Sequence, residues 1–154
     1  MKNAMPGANG PARPAVVDAS VALRWVVPEH GSEHAAALLG QSFRWLAPRL
    51  MLTEVASALR RKVVNRELST EVALEALDVL MTQLGSQIEL AADETVMPLA
   101  LTLALSLEHK LPDCVYLALA ERTGADLVTA DRQLNRLARD RGIPATLVPS
   151  AGPG

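Results

Sequence analysis

The sequence predicts a three-layer α/β fold, a central parallel sheet of four to five short strands flanked by helices on both faces. Three observations carry that expectation. Short strand-like segments such as AVV at 15–17 and DLVT at 126–129 alternate with longer helical segments, the helices often in pairs. The run AVV is apolar throughout, as in a strand buried on both sides. The chain has 154 residues and is 49% apolar but only 3% aromatic, so Leu, Val and Ala must fill one core, a composition that favours close-packed helices.

Residues 1–13, rich in Gly, Pro, Ala and Asn, read as a flexible tail, as do residues 150–154; residues 14–149 read as one domain. The domain opens with a strand at Ala15–Val17 that ends at Asp18. Ser20 is expected to cap the helix SVALRWVV, and Pro28 to stop it. Ser32 starts a second helix that ends near Leu39, before Gly40. A short strand at Arg44–Ala47 precedes Pro48, and a helix fills Arg49 to Arg66. Ser69-Thr70-Glu71 opens a helix to Leu84, with Gly85 beyond it, and Gln87–Leu90 alternates like a strand. Asp93 precedes a long helix to Lys110, with Pro98 near its first turn. Pro112-Asp113 opens the helix CVYLALAERT, closed by Gly124. A strand at Asp126–Thr129, a helix at Arg132–Arg141 and a strand at Ala145–Val148 complete the series.

Composition excludes some classes of function. Cys114 is the single cysteine, so no intrachain disulfide forms, which fits a reducing cytosol; a small buried residue is the simplest account of it. The start lacks the apolar core of a signal peptide, and the uncharged stretch Thr95–Leu107 is shorter than the roughly 20 residues of a membrane span. A cytoplasmic protein without membrane attachment is expected. The net charge of −2 does not mark a nucleic-acid binder. If four of the 17 acids share one metal site, however, the 15 Lys and Arg outnumber the acids left outside it, so a phosphodiester substrate is not excluded.

Four acids stand where acids are unusual. Asp18 and Asp131 follow strands, at the carboxyl edge where ligands of parallel sheets bind, although either can serve as a helix cap. Glu54 falls within the apolar stripe of Leu50, Met51, Val55 and Ala58; it either faces the core, at a cost unless paired or metal-bound, or reaches out to water or an Arg. Asp113 begins a helix whose next seven residues are uncharged, and is either a plain N-cap or a buried carboxylate at the positive end of the helix dipole. Carboxylates are hard ligands that suit magnesium or manganese. A zinc site has no basis: His30 and His34 are four apart without a third ligand and read as a solvated helix start, and His109 as a surface helix end.

Around these acids the segments VVDASVALRWVVPE, APRLMLTEVASALRRK, PDCVYLALAERTGADLVTADRQL and IPATLV occur in order, spanning nearly all of Ala15 to Val148. In them the sequence resembles the PIN-domain family, in particular the VapC-type toxins of bacterial toxin–antitoxin pairs. The resemblance implies that Asp18, Glu54, Asp113 and Asp131 are the family's acidic quartet. Ser20 matches the hydroxyl residue beside the first acid, and Thr129 the one two before the last. Pro112 departs from the pattern, since many relatives have an aromatic residue there.

The resemblance further implies an endoribonuclease that uses magnesium or manganese to hydrolyse RNA, a cognate antitoxin that blocks the cleft, and homodimers. Arg24, Arg60, Arg61, Lys62 and Arg132, with Arg136, Arg139 and Arg141, are candidates to grip the substrate or are solvated helix faces. Trp25, Val26 and Leu38 either form the antitoxin's groove or belong to the core. Two other readings are a PIN-fold binding module with weak catalysis and a receiver-like signalling domain. The second needs a Lys near the last strand, and no Lys follows Lys110.

Overall fold

The computed structural model describes residues 11–151. Strands β1 (Arg13–Val17), β2 (Phe43–Pro48), β3 (Ile88–Ala91), β4 (Asp126–Thr129) and β5 (Ala145–Leu147) form one parallel sheet in the order β3-β2-β1-β4-β5. Ala15, Val16 and Val17 of the central strand are all fully buried. Successive side chains point to opposite faces, so helices cover both. The chain builds β2 and β3 on one side of β1, then crosses over to place β4 and β5 on the other. The switch between directions falls between β1 and β4, and a crevice opens beyond the carboxyl ends of strands at such a point.

Helices α1 (Ala19–Val26), α2 (Ser32–Leu39), α3 (Leu50–Val64), α4 (Thr70–Asp78), α5 (Met97–Leu107), α6 (Leu111–Thr123) and α7 (Arg132–Asp140) link the strands. The innermost is α6, which packs on β1, β2, β4 and α5, and in it every residue from Asp113 to Ala120 is buried. Each large apolar side chain buried there contributes roughly 1.5–3 kcal/mol relative to exposure. Trp25 meets Trp45 edge to face at 5.1 Å, and its indole N–H donates to Ala35 O at 2.8 Å, fastening α1 to β2 and α2.

The elements depart from expectation mainly at their ends. Arg13, counted with the tail above, opens β1 and pairs with Asp126 at 2.9 Å; residues 1–10 and 152–154 of the expected tails lie outside the described residues. Asp18, not Ser20, caps α1, because Asp18 holds the last extended conformation and its carboxylate accepts from Val21 N–H. The helix expected to run to Leu84 turns π-helical over Val79–Leu84. The one expected from Asp93 to Lys110 is a 3-10 turn, Asp93–Thr95, followed by α5 with Pro98 in its first turn, where a missing N–H costs nothing. Asp93 instead caps α3 from a distance, its Oδ1 accepting from Leu50 N–H at 3.1 Å.

Candidate active site

Asp18 lies just beyond β1, where its N–H donates to Val128 O at 3.2 Å and extends the pairing of β1 with β4. Its side chain is almost completely buried. Oδ1 accepts from Ser20 Oγ at 2.6 Å and Val21 N at 3.2 Å, and Oδ2 accepts from Thr129 Oγ1 at 2.6 Å. Burial pushes its pKa up to about 6, against the pull of these three donors, and the charge of Asp113 adds to the rise.

The two hydroxyls also reach the loop after β4. Ser20 Oγ accepts from Ala130 N–H at 2.9 Å, and Thr129 Oγ1 accepts from Asp131 N–H at 2.9 Å. Each hydroxyl thus joins Asp18 to the chain that carries Asp131. Asp131 caps α7: its Oδ1 accepts from Gln133 N at 2.8 Å and Leu134 N at 3.0 Å.

The other two acids come from helices. Glu54, half-buried on α3, accepts from Tyr116 Oη at 2.6 Å. The phenol is buried, and burial together with the adjacent Glu54 raises its pKa, so it stays a donor. Asp113 sits in the first turn of α6 but is not its cap; its Oδ2 lies 2.7 Å from His109 Nε2 and 3.7 Å from Lys110 Nζ. His109 is therefore no surface helix end: its side chain is 9% exposed, folded back from the α5–α6 turn.

All four carboxylates line one open cleft of about 310 Å³, together with Ser20, Arg24, Glu29, Arg61, Lys110 and Tyr116. Of the proposed basic grips, Arg24 and Arg61 border this cleft. Arg60, Lys62 and Arg132 do not. Lys62 is engaged by Glu29 at 2.9 Å and Glu67 at 3.4 Å, Arg139 donates to Ala145 O, and Arg141 pairs with Glu121. Arg24 is itself held, donating to Ser20 O at 2.6 Å and His30 O at 2.8 Å, with Glu29 at 3.5 Å. Leu38 belongs to the core, while half-buried Trp25 and Val26 line a second, shallower groove with Pro28 and Ala36.

The donors facing the cleft suit a hard cation. Among the described residues, no three His, Cys, Asp or Glu side chains stand close enough together to form a ready cage. Magnesium does not require one, since it keeps several waters and binds through one or two carboxylates plus substrate phosphate. Glu54, Asp113 and Asp131 each give one oxygen to a protein donor, and no hydrogen bond among the described residues engages the other.

A sequence profile described as the PIN domain matches residues 15–140. The chain belongs to the PIN-domain family. Ribonuclease VapC3 of Pyrobaculum aerophilum is 33% identical over 119 residues, 77% of this chain and 90% of that protein. Ribonuclease VapC1 of Mycobacterium tuberculosis is 33% identical over 103 residues, 66% of this chain and 71% of that one. The PIN domain also superposes on PAE2754 from Pyrobaculum aerophilum with a TM-score of 0.64 at 20% identity, covering 89% of this chain and 88% of that one. VapBC2 from Rickettsia felis, solved bound to a DNA fragment from its promoter, gives 0.63 at 13% identity, covering 87% and 98%. A toxin–antitoxin complex from Klebsiella pneumoniae gives 0.56 at 18% identity, covering 89% and 99%.

Reading the residues in order did not single out Tyr116, Glu29, Lys110 or His109 as neighbours of the site. Tyr116 stands in an uncharged run that reads as core, and its bond to Glu54 spans 62 residues of chain. The spacing of His109 and Asp113 gave no signal either, because His109 precedes α6 whereas Asp113 lies in its first turn, so the two share no helix face.

Proposed function

We propose that this PIN domain is a metal-dependent endoribonuclease, the toxin of a toxin–antitoxin pair. The observation that carries the reading is the convergence of Asp18, Glu54, Asp113 and Asp131, from two strand ends and two helices, on one open cleft. Its kinship with proteins named Ribonuclease VapC3 and VapC1 supports RNA as the substrate. The fold shared with the Rickettsia and Klebsiella complexes makes an antitoxin the expected protein partner.

In this reading Asp18, Asp113 and Asp131 hold magnesium or manganese, with Glu54 a ligand directly or through water. When bound, the ion activates a water and offsets charge developing on the scissile phosphate. Ser20 and Thr129 fix the Asp18 carboxylate by taking both of its oxygens, so that it meets the ion without reorganising. Arg24 and Arg61 at the rim bind phosphate oxygens of the RNA. Arg24 is already ordered by its two carbonyl partners, which reduces the entropy lost on binding. A fold kept only for binding has no need of four mutually repelling carboxylates in one cleft.

The antitoxin has an apolar landing strip in the groove of Trp25, Val26, Pro28 and Ala36, next to Arg24 at the cleft. A homodimer would cover Leu101 and Leu105 of α5, 51% and 72% exposed. Cleavage of structured RNAs by purified protein, with magnesium and with EDTA, tests the enzyme reading. D18N and D113N should each lose at least about a hundredfold in rate. Undiminished cleavage by both variants, or by wild type in EDTA, would refute it.

A further inference from the structure

The turn between α5 and α6 sets an imidazole behind one of the four carboxylates. Glu108 ends α5 at φ 50°, ψ 45°, in the left-handed region that residues other than glycine rarely adopt. That conformation turns the chain so that His109 N–H donates to Ala104 O at 3.1 Å and the His109 ring folds inward. Unusual backbone of this kind persists where surrounding contacts demand it, and it gathers at functional sites.

The ring reaches one target. His109 Nε2 lies 2.7 Å from Asp113 Oδ2, and both side chains are largely buried, 9% and 12% exposed. An ionised carboxylate only accepts, so Nε2 carries the hydrogen and donates. Lys110 Nζ, 3.7 Å away, approaches the same oxygen. No hydrogen bond among the described residues engages Oδ1, and Asp113 lines the cleft. Fixing one oxygen of a short side chain fixes the direction of the other.

We propose that His109 is a positioning residue: its Nε2–H holds Asp113 Oδ2, so that Oδ1 is presented to the cation site of the cleft. This rests on the reading above, that Asp113 bears a metal. His109 touches neither the ion nor the RNA; it acts through Asp113, as donors behind metal-binding carboxylates do. Nothing in the family pattern quoted above covers this position, and the hydrogen bond follows from the turn that Glu108 makes.

The test measures Mn2+ binding to the full chain by electron paramagnetic resonance, alongside thermal unfolding and cleavage kinetics, for wild type, D113N, H109F and H109Q. Phe keeps the ring's bulk without a donor, and Gln sets an amide N–H near the position of Nε2. H109F should bind Mn2+ roughly tenfold more weakly, with kcat reduced and KM for RNA unchanged. H109Q should recover most of that affinity. A purely structural role would lower the melting temperature of H109F while leaving its Mn2+ affinity intact, and that result overturns the proposal. Equal weakening in H109Q and H109F overturns it too, since the donor would then be irrelevant. If D113N binds Mn2+ as tightly as wild type, the metal reading itself falls. If D113N is impaired and H109F is not, only the role of His109 falls.

Discussion

The two halves of the acidic cleft are built differently. Asp18 and Asp131 stand at the ends of neighbouring parallel strands, tied together by Ser20 and Thr129, and Asp18 has both oxygens engaged by protein donors. Glu54 and Asp113 come from helices, α3 packed on β2 and α6 spanning β1, β2 and β4, and each is steadied by a single side-chain hydrogen bond. The strand-end half is fixed by the sheet, whose ladder sets the positions of its residues before any side chain acts. The helix half depends on how α3, α5 and α6 pack. A rigid anchor on one side and adjustable carboxylates on the other suit a site that must accept a cation and a phosphate together.

The largest effect expected to distinguish the halves is that of pH on Asp18. Its folded pKa, about 6, lies above the ordinary 3.8, so the native state holds a proton over a range in which the unfolded chain has lost it. The stability this contributes is fully present below about pH 4 and is lost as pH rises through 6, on the order of 3 kcal/mol in all. Urea unfolding in EDTA at pH 4.5 and 7.5 should show wild type losing most of this difference relative to D18N; a constant difference would mean that Asp18 is not buried in this way. Added Mn2+ should recover stability at pH 7.5 and very little at pH 4.5.

Next in size is T129V, which removes the donor to a buried carboxylate oxygen and the acceptor for Asp131 N–H. It should cost about 2 kcal/mol, read from urea midpoints, and lower cleavage as well. Y116F removes one bond to a half-buried carboxylate that water can partly replace, and should cost about 1 kcal/mol by the same measurement. If Y116F proved the more damaging to stability, the contrast between an anchored and an adjustable half would be broken. The smallest expected effect is that of R60A, whose side chain is exposed and outside the cleft: cleavage should stay within about twofold of wild type, whereas R61A should raise KM for RNA.

The elements themselves were legible in the residues. AVV, DLVT and the helical segments between them carry their periodicity locally, and the parallel order with acids after β1 and β4 follows from a general rule of such sheets. Glu54 was visible as a charge inside an apolar stripe, and Asp113 as a charge opening an uncharged helix. Ends were less legible. Asp18 displaced Ser20 as the cap of α1, because a cap is decided by which residue keeps the last extended backbone conformation. His109 read as exposed because its burial is produced by the left-handed turn at Glu108, a conformation that a glutamate does not advertise. Lys62, expected to grip substrate, is held by Glu29 from 33 positions earlier in the chain, a pairing no local pattern contains.

By itself, the sequence determined which segments become strands and helices and which four carboxylates are out of place in them, because both are matters of neighbours a few residues apart. Only the tertiary structure decided that those carboxylates share one cleft, that Thr129 and Ser20 bind Asp18 to the chain of Asp131, and that Tyr116 and His109 stand behind Glu54 and Asp113. The physical reason is reach. A hydrogen bond acts over about 3 Å, and which groups come that close across 62 or 111 positions of chain is set by how the helices pack on the sheet.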